Sequence, residues 1–456
     1  MSSLGASLAI ALSGLTAEQA AISTTTNNVA NVNTPGYSRQ VPLLASSDPV
    51  VIDPLTLGTG VTLQSIESIR DPILESRIQQ ETQNQGQLGA LVSALSQTQV
   101  NFSSTGSDIG TAITNFFNSI NQLSTNPADI SLRQGVLTAA GNLAAAFNST
   151  ANQLATQRTS LDQSVVQSVN QINTLTGQIA QLNGQISALQ NVGQSAGSFV
   201  DQRTQLIDQL SSLVDVSVIP ADNTLTLTTA NGTALVTGQQ SYQLATQSDS
   251  TGVQHIFAQN VDITGSIVSG QLGGLLQARD QQIPGLQTQL DTLAAGLANA
   301  VNGVQAKGFD LKGVAGTNLF NPPPVTGVGA AAGLSVAITD PTLIAASSDG
   351  STGSNGNAEA LYALSAQAII SGQSPTDYYS SIVFNVGNAA SNATAEQTAS
   401  NLTLQQLNDQ RGSVSGVSLD QEAANLVKYQ QAYAASAQII SAINTMMSDV
   451  INMKTS

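Results

Sequence analysis

The chain has 456 residues, of which 9% are charged, and 28 acidic against 12 basic side chains give a formal net charge of −16. An acidic chain disfavours binding to nucleic acid or to an anionic membrane surface, and the absence of cysteine excludes disulfides and thiolate metal sites. No apolar run reaches the length of a membrane span and the first basic residue is Arg39, so the sequence predicts neither membrane insertion nor a cleaved signal peptide.

The two ends of the chain carry apolar side chains at a spacing of seven, which aligns them on one seam of a helix. The N-terminal seam consists of Leu8, Leu15, Ile22 and Val29, with Leu4 and Leu12 beside it, and the C-terminal seam of Leu419, Leu426, Tyr433, Ile440 and Met447. Matching terminal seams predict that the ends pack on each other or on neighbouring copies. For each seam alone, an ordinary amphipathic helix on a globular core is the alternative.

The N-terminal helix is predicted to end at the run Asn31-Val-Asn-Thr-Pro-Gly-Tyr37. Pro35 fixes its own φ and disfavours the helical region at Thr34, while Gly36 accepts a positive φ. Residues 38–68 are then predicted to be extended and loop-like, because prolines and glycines interrupt short apolar runs.

Helical periodicity follows in four segments, at residues 71–102, 109–123, 129–190 and 199–213. The third segment places Val165, Ile172, Ile179 and Ile186 at one heptad position and Leu161, Leu175, Leu182 and Leu189 three residues further on. This pattern is typical of a two-stranded coiled coil, and its uncharged flanking glutamines favour a mate from the same chain. A helix of this length spans about 90 Å, which predicts an elongated shape.

Residues 214–274 change to strand-like alternation, which predicts a small antiparallel β-unit with a type I′ hairpin at Asn231-Gly232. A helix at 277–305, interrupted or kinked at Pro284, follows. The remaining predicted elements are loops and short strands at 307–356, helices at 357–371 and 375–411, a turn at 412–416 and a terminal helix from Ser418.

These elements predict a mainly α fold with a β insert: an elongated molecule with terminal helices in a coiled coil, a long helical bundle and a small antiparallel β domain. The predicted domains are a terminal coiled-coil domain (1–65 plus 412–456), an elongated helical domain (66–213 plus 275–310 plus 357–411), a small β domain (214–274) and a region of loops and short strands (311–356).

Residues suited to catalysis or metal binding are scarce. His255 is the single histidine, and without an identifiable acid, base or ligand partner it is interpreted as a plain strand residue. Residues 349–357 are rich in oxygen ligands but lack the alternating acids and closing glutamate of an EF-hand, so they are interpreted as a linker. We therefore assign no catalytic, cofactor or metal residue and expect a protein that is not an enzyme.

Two runs carry a family resemblance. Residues 27–37, Asn-Asn-Val-Ala-Asn-Val-Asn-Thr-Pro-Gly-Tyr, resemble the N-terminal signature of bacterial flagellar rod, hook and hook-associated proteins. The continuation Ser38-Arg39-Gln40, together with residues 415–426 and 429–433, is similar to the hook-associated protein 1 (FlgK) family of hook–filament junction proteins. The motif residues carried over by position are Asn28, Asn31, Thr34, Pro35, Gly36, Tyr37 and Arg39.

This resemblance implies a structural protein that forms a short ring of subunits, whose paired terminal helices line the export channel and whose seams are the assembly interface. It implies as partners copies of the chain itself, the hook protein, the second hook-associated protein and an export chaperone at the C-terminal segment. It also implies an extracellular location at the hook–filament junction, after export without a cleaved signal peptide. The alternatives are another axial protein of rod or hook, an extracellular adhesin-like coiled-coil stalk and, more distantly, an enzyme such as a wall hydrolase.

Overall fold

The structure, a computed structural model, describes residues 2–52, 55–102, 108–221 and 224–455. The helices of these residues are α1 (Ser2–Ala30), α2 (Pro72–Phe102), α3 (Ile109–Thr125), α4 (Ile130–Asn191), α5 (Gly197–Leu213), α6 (Gly270–Gln277), α7 (Ile283–Gln305), α8 (Gly356–Ala363), α9 (Pro375–Ser415) and α10 (Leu419–Thr455). The strands are β1 (Gln40–Ser46), β2 (Val50–Ile52), β3 (Leu55–Leu57), β4 (Val61–Ser68), β5 (Ser217–Ala221), β6 (Thr224–Thr228), β7 (Ala234–Thr237), β8 (Gln240–Ser241), β9 (Leu244–Ser248), β10 (Gln254–Ala258) and β11 (Val261–Asp262). In these ranges, none of the helices combines the length and apolar character needed to cross a membrane.

The terminal helices α1 and α10 pack on each other, and we call them the terminal pair. They run antiparallel, because Asn28 contacts Glu422 near one end while Gly14 faces Ser436 further along. The buried side chains of α1 are small or polar: Ala11, Ala17, Ala21, Thr24, Thr25 and Asn28. Small residues allow two helices to approach closely, so the pair is built on a line of short side chains beside the apolar seam.

Residues 40–52 and 55–68 contain a ribbon of antiparallel strands, so the segment predicted to be extended and loop-like is extended but paired. β1 pairs with β4 in register from Gln40↔Ser68 to Ser46↔Val61, and β2 pairs with β3 further out along the ribbon. Residues 53 and 54 of the predicted loop lie outside the described residues. The ribbon lies against α1, where the Val61 amide donates to the Ser13 hydroxyl over 3.2 Å. Strand pairing satisfies backbone groups that a loop would leave to water.

We define the helical body as α2–α4 and α7–α9, and four of these helices, α2, α3, α4 and α9, begin at a side-chain cap. Asp129 Oδ1 accepts from the Ser131 amide over 2.7 Å at the start of α4, and Asp108 caps α3. Ser374 caps α9, where Pro375 occupies the first turn and needs no amide partner. These starts agree with those predicted for α3, α4 and α9, but α9 continues to Ser415, past its predicted end at residue 411 and through most of the predicted turn.

The sequence predicts loops and short strands at residues 311–356, all of which the structure describes. In place of the strands, the structure has isolated β-bridges and a short 3-10 turn. These residues are also part of the main core, since Phe320 and Ile344 are buried with α3, α4 and α7. The fully buried Arg133 holds this segment to α4 by donating to the Ile344 carbonyl over 2.6 Å and to the Pro127 carbonyl over 2.6 Å. A buried guanidinium needs such acceptors because it cannot shed its charge.

The β insert consists of a four-stranded sheet, β5-β6-β7-β8, and a three-stranded sheet, β11-β10-β9. Its core is shared with α4, α5 and α6, so the coiled-coil-like face of α4 packs on α5 and on strands. The type I′ prediction is wrong: Gly232 has φ +86°, but Asn231 is outside the left-handed region that type I′ requires of both residues. Such a pair of positive φ values occurs at Gln259-Asn260 instead, between β10 and β11.

The predicted end of the β-unit at Gly274 is also too late, because α6 begins at Gly270. A π-helical segment (Ala278–Gln282) then joins α6 to α7, and Pro284 lies in the first turn of α7. The interruption predicted at Pro284 is therefore a change of helical pitch just before the proline, where the missing proline amide does least damage.

Candidate functional site

The family motif lies where the terminal pair meets the helical body, and Asn28 is its central side chain. Its amide nitrogen donates to the Gln40 carbonyl over 2.8 Å and to Glu422 Oε2 over 3.1 Å. Its amide oxygen accepts from the Tyr37 hydroxyl over 2.8 Å and from the Gln40 amide over 2.9 Å. All the bonding capacity of a buried asparagine is thus used, and it joins α1, the turn, β1 and α10 at one point.

Tyr37 closes this network from the far side of the turn. Burial, together with the nearby Asp201 and Glu422 carboxylates, raises the pKa of Tyr37 to about 12. The phenol therefore stays protonated across the physiological range and remains a donor to Asn28.

The turn itself is held by short-range hydrogen bonds. The Asn31 side chain donates to the Asn27 carbonyl over 2.9 Å, and the Thr34 hydroxyl donates to Asn31 Oδ1 over 3.1 Å. Gly36 has φ +74°, a value that L side chains rarely adopt. Asn31 and Thr34 thus stabilise the turn locally, and the positive φ of Gly36 is the backbone conformation that the sequence predicts there.

The motif turn contacts α5, the helix that follows α4 in the chain. The Gln205 side chain donates to the Pro35 carbonyl, and a Cβ placed on Gly36 would lie 2.3 Å from Gln205 Nε2. Asp201 forms an ion pair with Arg70 and accepts from the Ser38 amide over 3.4 Å. Sequence reasoning missed these α5 residues, because an acid and an amide on a polar helix face carry no local signal.

Arg39 connects the turn to the other arm of the chain. Its amide donates to the Ser415 carbonyl at the end of α9 over 2.8 Å, and its carbonyl accepts from the Ile69 amide over 2.8 Å. Its guanidinium donates to the Gln421 side chain on the first turn of α10. The residue therefore bonds to both segments that link the terminal pair to the body.

A cleft of about 540 Å³ lies between the turn, α2, α5 and α9. Arg411 lies at its wall, 3.6 Å from Glu75 Oε2 and 3.4 Å from Asp208 Oδ2. Burial raises the pKa of Asp208 to about 6, with Glu75 adding to the rise and Arg411 opposing it. This arrangement is a shared ion pair between helices.

The predicted seams lie along the edge of the terminal pair, beside its buried line. Leu419 is 53% exposed, Val29 38% and Tyr433 37%. The other seam residues are half-buried: Leu8, Leu15, Ile22, Leu426, Ile440 and Met447. The pair therefore covers its seams only in part.

The terminal pair also exposes apolar side chains that the seam analysis did not include. They are Ile10, Val427, Ile439, Met446, Val450, Ile451 and Met453. The sequence signal was available, since an apolar residue next to a heptad position widens the stripe beyond one seam. Soluble monomers rarely expose large apolar patches, and where such a patch occurs it commonly marks an interaction site.

His255 lies on β10 and is paired rather than isolated. Its Nδ1 lies 2.8 Å from Asp262 Oδ2, and its Nε2 lies 3.7 Å from Asp249 Oδ2. These contacts connect β10 to β11 and to the turn between β9 and β10. Within the described ranges, no group of histidine and acidic side chains is arranged to hold a metal ion.

The residues interpreted as a linker, 349–357, begin with an ordered turn. Asp349 Oδ1 accepts from the amide and the hydroxyl of Ser351, over 2.9 and 2.7 Å. The Ser351 hydroxyl, followed by backbone hydrogen bonding, lowers the pKa of Asp349 to about 2. The carboxylate is thus used locally, as in an Asx turn.

Comparison with known proteins extends these observations. A family model described as the flagellar hook-associated protein FlgK helical domain matches residues 95–320. Models described as the flagella basal body rod protein and the flagellar basal body rod FlgEFG protein C-terminal match residues 8–37 and 410–453. The two terminal matches include the motif turn and both seams.

Curated relatives match the whole chain. Flagellar hook-associated protein 1 of Bacillus subtilis (strain 168) is 30% identical over 503 residues, covering 99% of each protein. The protein of the same name from Escherichia coli (strain K12) is 28% identical over 541 residues, covering 97% of this chain and 99% of the relative.

Among solved structures, the flagellar hook junction protein FlgK from Burkholderia pseudomallei shares the fold. It aligns with a TM-score of 0.67 at 21% identity, covering 74% of this chain and 100% of that one. The similarity to the Bacillus subtilis protein, 30% identity over nearly the full length, shows the family. The chain belongs to the flagellar hook-associated protein 1 (FlgK) family and is a structural component of the flagellum at the hook–filament junction.

Proposed function

We propose that the chain assembles into the flagellum through its terminal pair, with copies of itself as lateral neighbours. The observation that carries this proposal is the incomplete burial of the seams, with Leu419 and Tyr433 exposed in the isolated chain. Packing between neighbouring pairs would remove this surface from water, at about 25 cal/mol for each Å² of apolar area.

The β ribbon (β1–β4) supports the same interface. Val41, Leu43, Leu44 and Leu63 are exposed on it, and Leu44 lies directly opposite Leu63. A two-stranded ribbon leaves outer backbone edges that a neighbour can pair with or cover. We therefore include the ribbon in the proposed assembly surface.

The finer partners are proposed by analogy with the family. We propose the hook protein on one side of the assembled ring and the second hook-associated protein on the other, and an export chaperone that covers the C-terminal segment beforehand. We also propose that the chain reaches its extracellular position without a cleaved signal peptide, and that its role is structural and not enzymatic. The division into a terminal, a helical and a β domain remains a proposal as well.

The assembly surface is tested by a matched pair of charge substitutions. Leu419→Asp changes an exposed leucine of the terminal pair, while Leu402→Asp changes an exposed leucine of α9 in the body. In a strain lacking its own copy, Leu402→Asp should restore motility, whereas Leu419→Asp should leave the filament unattached. If both variants restored motility equally, the terminal pair would not be the assembly surface.

The junction role is separated from that of a rod or hook protein by the phenotype of the deletion strain. Loss of a junction protein should leave complete hooks and release unattached filament subunits into the medium. Loss of a rod or hook protein should leave no complete hook. Electron microscopy of the cell surface and analysis of the medium distinguish the two.

A further inference from the structure

The four Asn-Gly pairs of the chain differ in how the fold holds them. An asparagine followed by glycine is the pair most open to attack of the backbone on the side chain, because glycine has no Cβ to shield its amide nitrogen. Three of the pairs belong to helices: Asn183-Gly184 to α4, Asn302-Gly303 to α7 and Asn355-Gly356 to the start of α8. The fourth, Asn231-Gly232, lies in the turn between β6 and β7, and both of its residues are exposed.

In the three helical pairs, the side-chain nitrogen is held by a hydrogen-bond acceptor. Asn183 is fully buried and donates to the Gly238 carbonyl over 2.7 Å. Asn302 and Asn355 donate to backbone carbonyls of other segments, over 2.9 and 3.0 Å. Inside α4 and α7, the glycine amide is also bonded along the helix and so points away from the asparagine side chain. These three asparagines are therefore protected.

The side-chain oxygen of Asn231 is surrounded by hydrogen-bond donors. The Thr229 hydroxyl donates to Asn231 Oδ1, and Thr233 donates to the same oxygen from its hydroxyl over 3.0 Å and from its amide over 3.3 Å. Negative charge develops on this oxygen when a nucleophile attacks the side-chain carbon, and donors already placed there lower the barrier, as in an oxyanion hole. The turn therefore favours the attack that the helices hinder.

The nucleophile is the amide nitrogen of Gly232, the next residue in the chain. This amide donates to the Thr229 carbonyl over 2.9 Å, so the turn has to open before the attack. A single hydrogen bond in an exposed turn opens at a small local cost, whereas an interior helical amide needs the helix to unfold. The turn thus allows the attack without unfolding of the β insert.

We propose that Asn231 is a site of spontaneous deamidation in the folded chain, promoted by the donors on its side-chain oxygen. The Gly232 nitrogen attacks Asn231 Cγ and loses its proton to water, while the side-chain nitrogen takes up a proton and leaves as ammonia, which closes a succinimide ring. Water then opens the ring at either carbonyl and leaves aspartate or isoaspartate at this position. Water is the only co-reactant, and the proposal does not depend on the proposed function.

The reaction adds a negative charge beside a buried acid. The Ala230 amide donates to Asp215 Oδ2 over 3.0 Å, and Asp215 is 1% exposed. A carboxylate at the residue after Ala230 disfavours the charged form of Asp215, and isoaspartate also lengthens the backbone of the turn. We therefore expect faster amide exchange in the hairpin of β6 and β7 once Asn231 is modified.

The test is incubation of the purified full-length chain in mildly alkaline buffer, followed by mass spectrometry of the peptides that contain each Asn-Gly pair. A sample in urea is the reference, because all the pairs should convert at similar rates once the chain is unfolded. The variants are Thr233→Val, which removes the hydroxyl donor, and Thr233→Ser, which keeps it. The readout needs no assembled flagellum.

In the folded parent, Asn231 should convert at least about tenfold faster than the three helical asparagines. Thr233→Val should slow conversion at Asn231 about fivefold, the rate equivalent of one net hydrogen bond, and Thr233→Ser should keep the parent rate. A turn that was merely loosened by the substitution would convert faster, so a slower rate reports the lost donor. Equal conversion of all the pairs in the folded chain, or an undiminished rate in Thr233→Val, would overturn the proposal.

Discussion

The side-chain amide of Asn28 donates to Glu422 Oε2 over 3.1 Å and so joins positions 394 residues apart. Asn28 is 1% exposed and Glu422 is 2% exposed, so the contact is closed to water. A buried carboxylate is costly unless hydrogen bonds compensate its lost hydration. The motif asparagine therefore determines where α10 lies on α1.

Asn28→Ala should destabilise the terminal pair by about 2–4 kcal/mol, because it leaves Glu422 and the Gln40 backbone without their partner. Hydrogen exchange should show faster exchange at the amides of α1 and α10, with little change in the body. Asn33→Ala, at an exposed position of the same motif, is the control. Equal protection in both variants would show that the network does not hold the pair.

Gly36→Ala should cost more stability than Gly193→Ala. Both glycines have a positive φ, +74° and +71°, so both variants incur about 1 kcal/mol of backbone strain. A Cβ at Gly193 meets open space, whereas a Cβ at Gly36 collides with Gln205. Denaturant unfolding measures the difference. Adding Gln205→Ala to Gly36→Ala should remove most of the additional loss of stability that Gly36→Ala shows over Gly193→Ala. If the effects of the two changes were simply additive, the collision with Gln205 would not be its cause.

Leu15→Ala and Ile440→Ala should affect assembly more than folding. Truncation of a fully buried leucine to alanine lowers the free energy of unfolding by about 2–5 kcal/mol. Because Leu15 and Ile440 are only half-buried, we expect a loss of about 1–2 kcal/mol in the monomer. Leu182→Ala, at a half-buried leucine of α4, is the matched control. Unfolding of the purified chain and attachment of filaments in cells are the two measurements. Normal attachment with both seam variants would exclude the seams from the interface.

Asp215→Asn should make the protein more stable at neutral pH. Burial raises the pKa of Asp215 from 3.8 to about 6, although the Ala230 amide donates to it. The folded state therefore binds this proton more tightly than the unfolded state, so stability is lost as pH rises from about 4 to about 6. The loss is at most about 3 kcal/mol, at 1.36 kcal/mol for each pKa unit.

The neutral amide of Asp215→Asn lacks this dependence, so parent and variant should be equally stable near pH 4, diverge as the pH rises to about 6 and keep a constant difference above it. Denaturant unfolding at a series of pH values measures the divergence. Asp409→Asn changes the net charge equally at an exposed position and is the control. A constant difference across the pH series would show that Asp215 is not the titrating group.

The helices of the body were predictable because local chemistry marks their ends. Asp71-Pro72 starts α2, where Asp71 Oδ1 accepts from the Ile73 amide over 2.9 Å. The β ribbon was not predictable in the same way, because its strands are short, contain Pro42 and are paired with partners as far apart as Gln40 and Ser68. Strand pairing depends on a partner that local pattern does not identify.

The sequence by itself determined the mainly helical class, the β insert, the family and the position of the motif turn, because periodicity, caps and turn residues act over a few positions. Only the tertiary structure decided that small side chains such as Ala21 form the buried line of the terminal pair, that Asn28 bonds to Glu422, and that the turn contacts Gln205 on α5. These relationships join distant positions, where close approach depends on shape and on satisfying buried polar groups. An apolar pattern reports which side chains avoid water, but not which neighbour covers them.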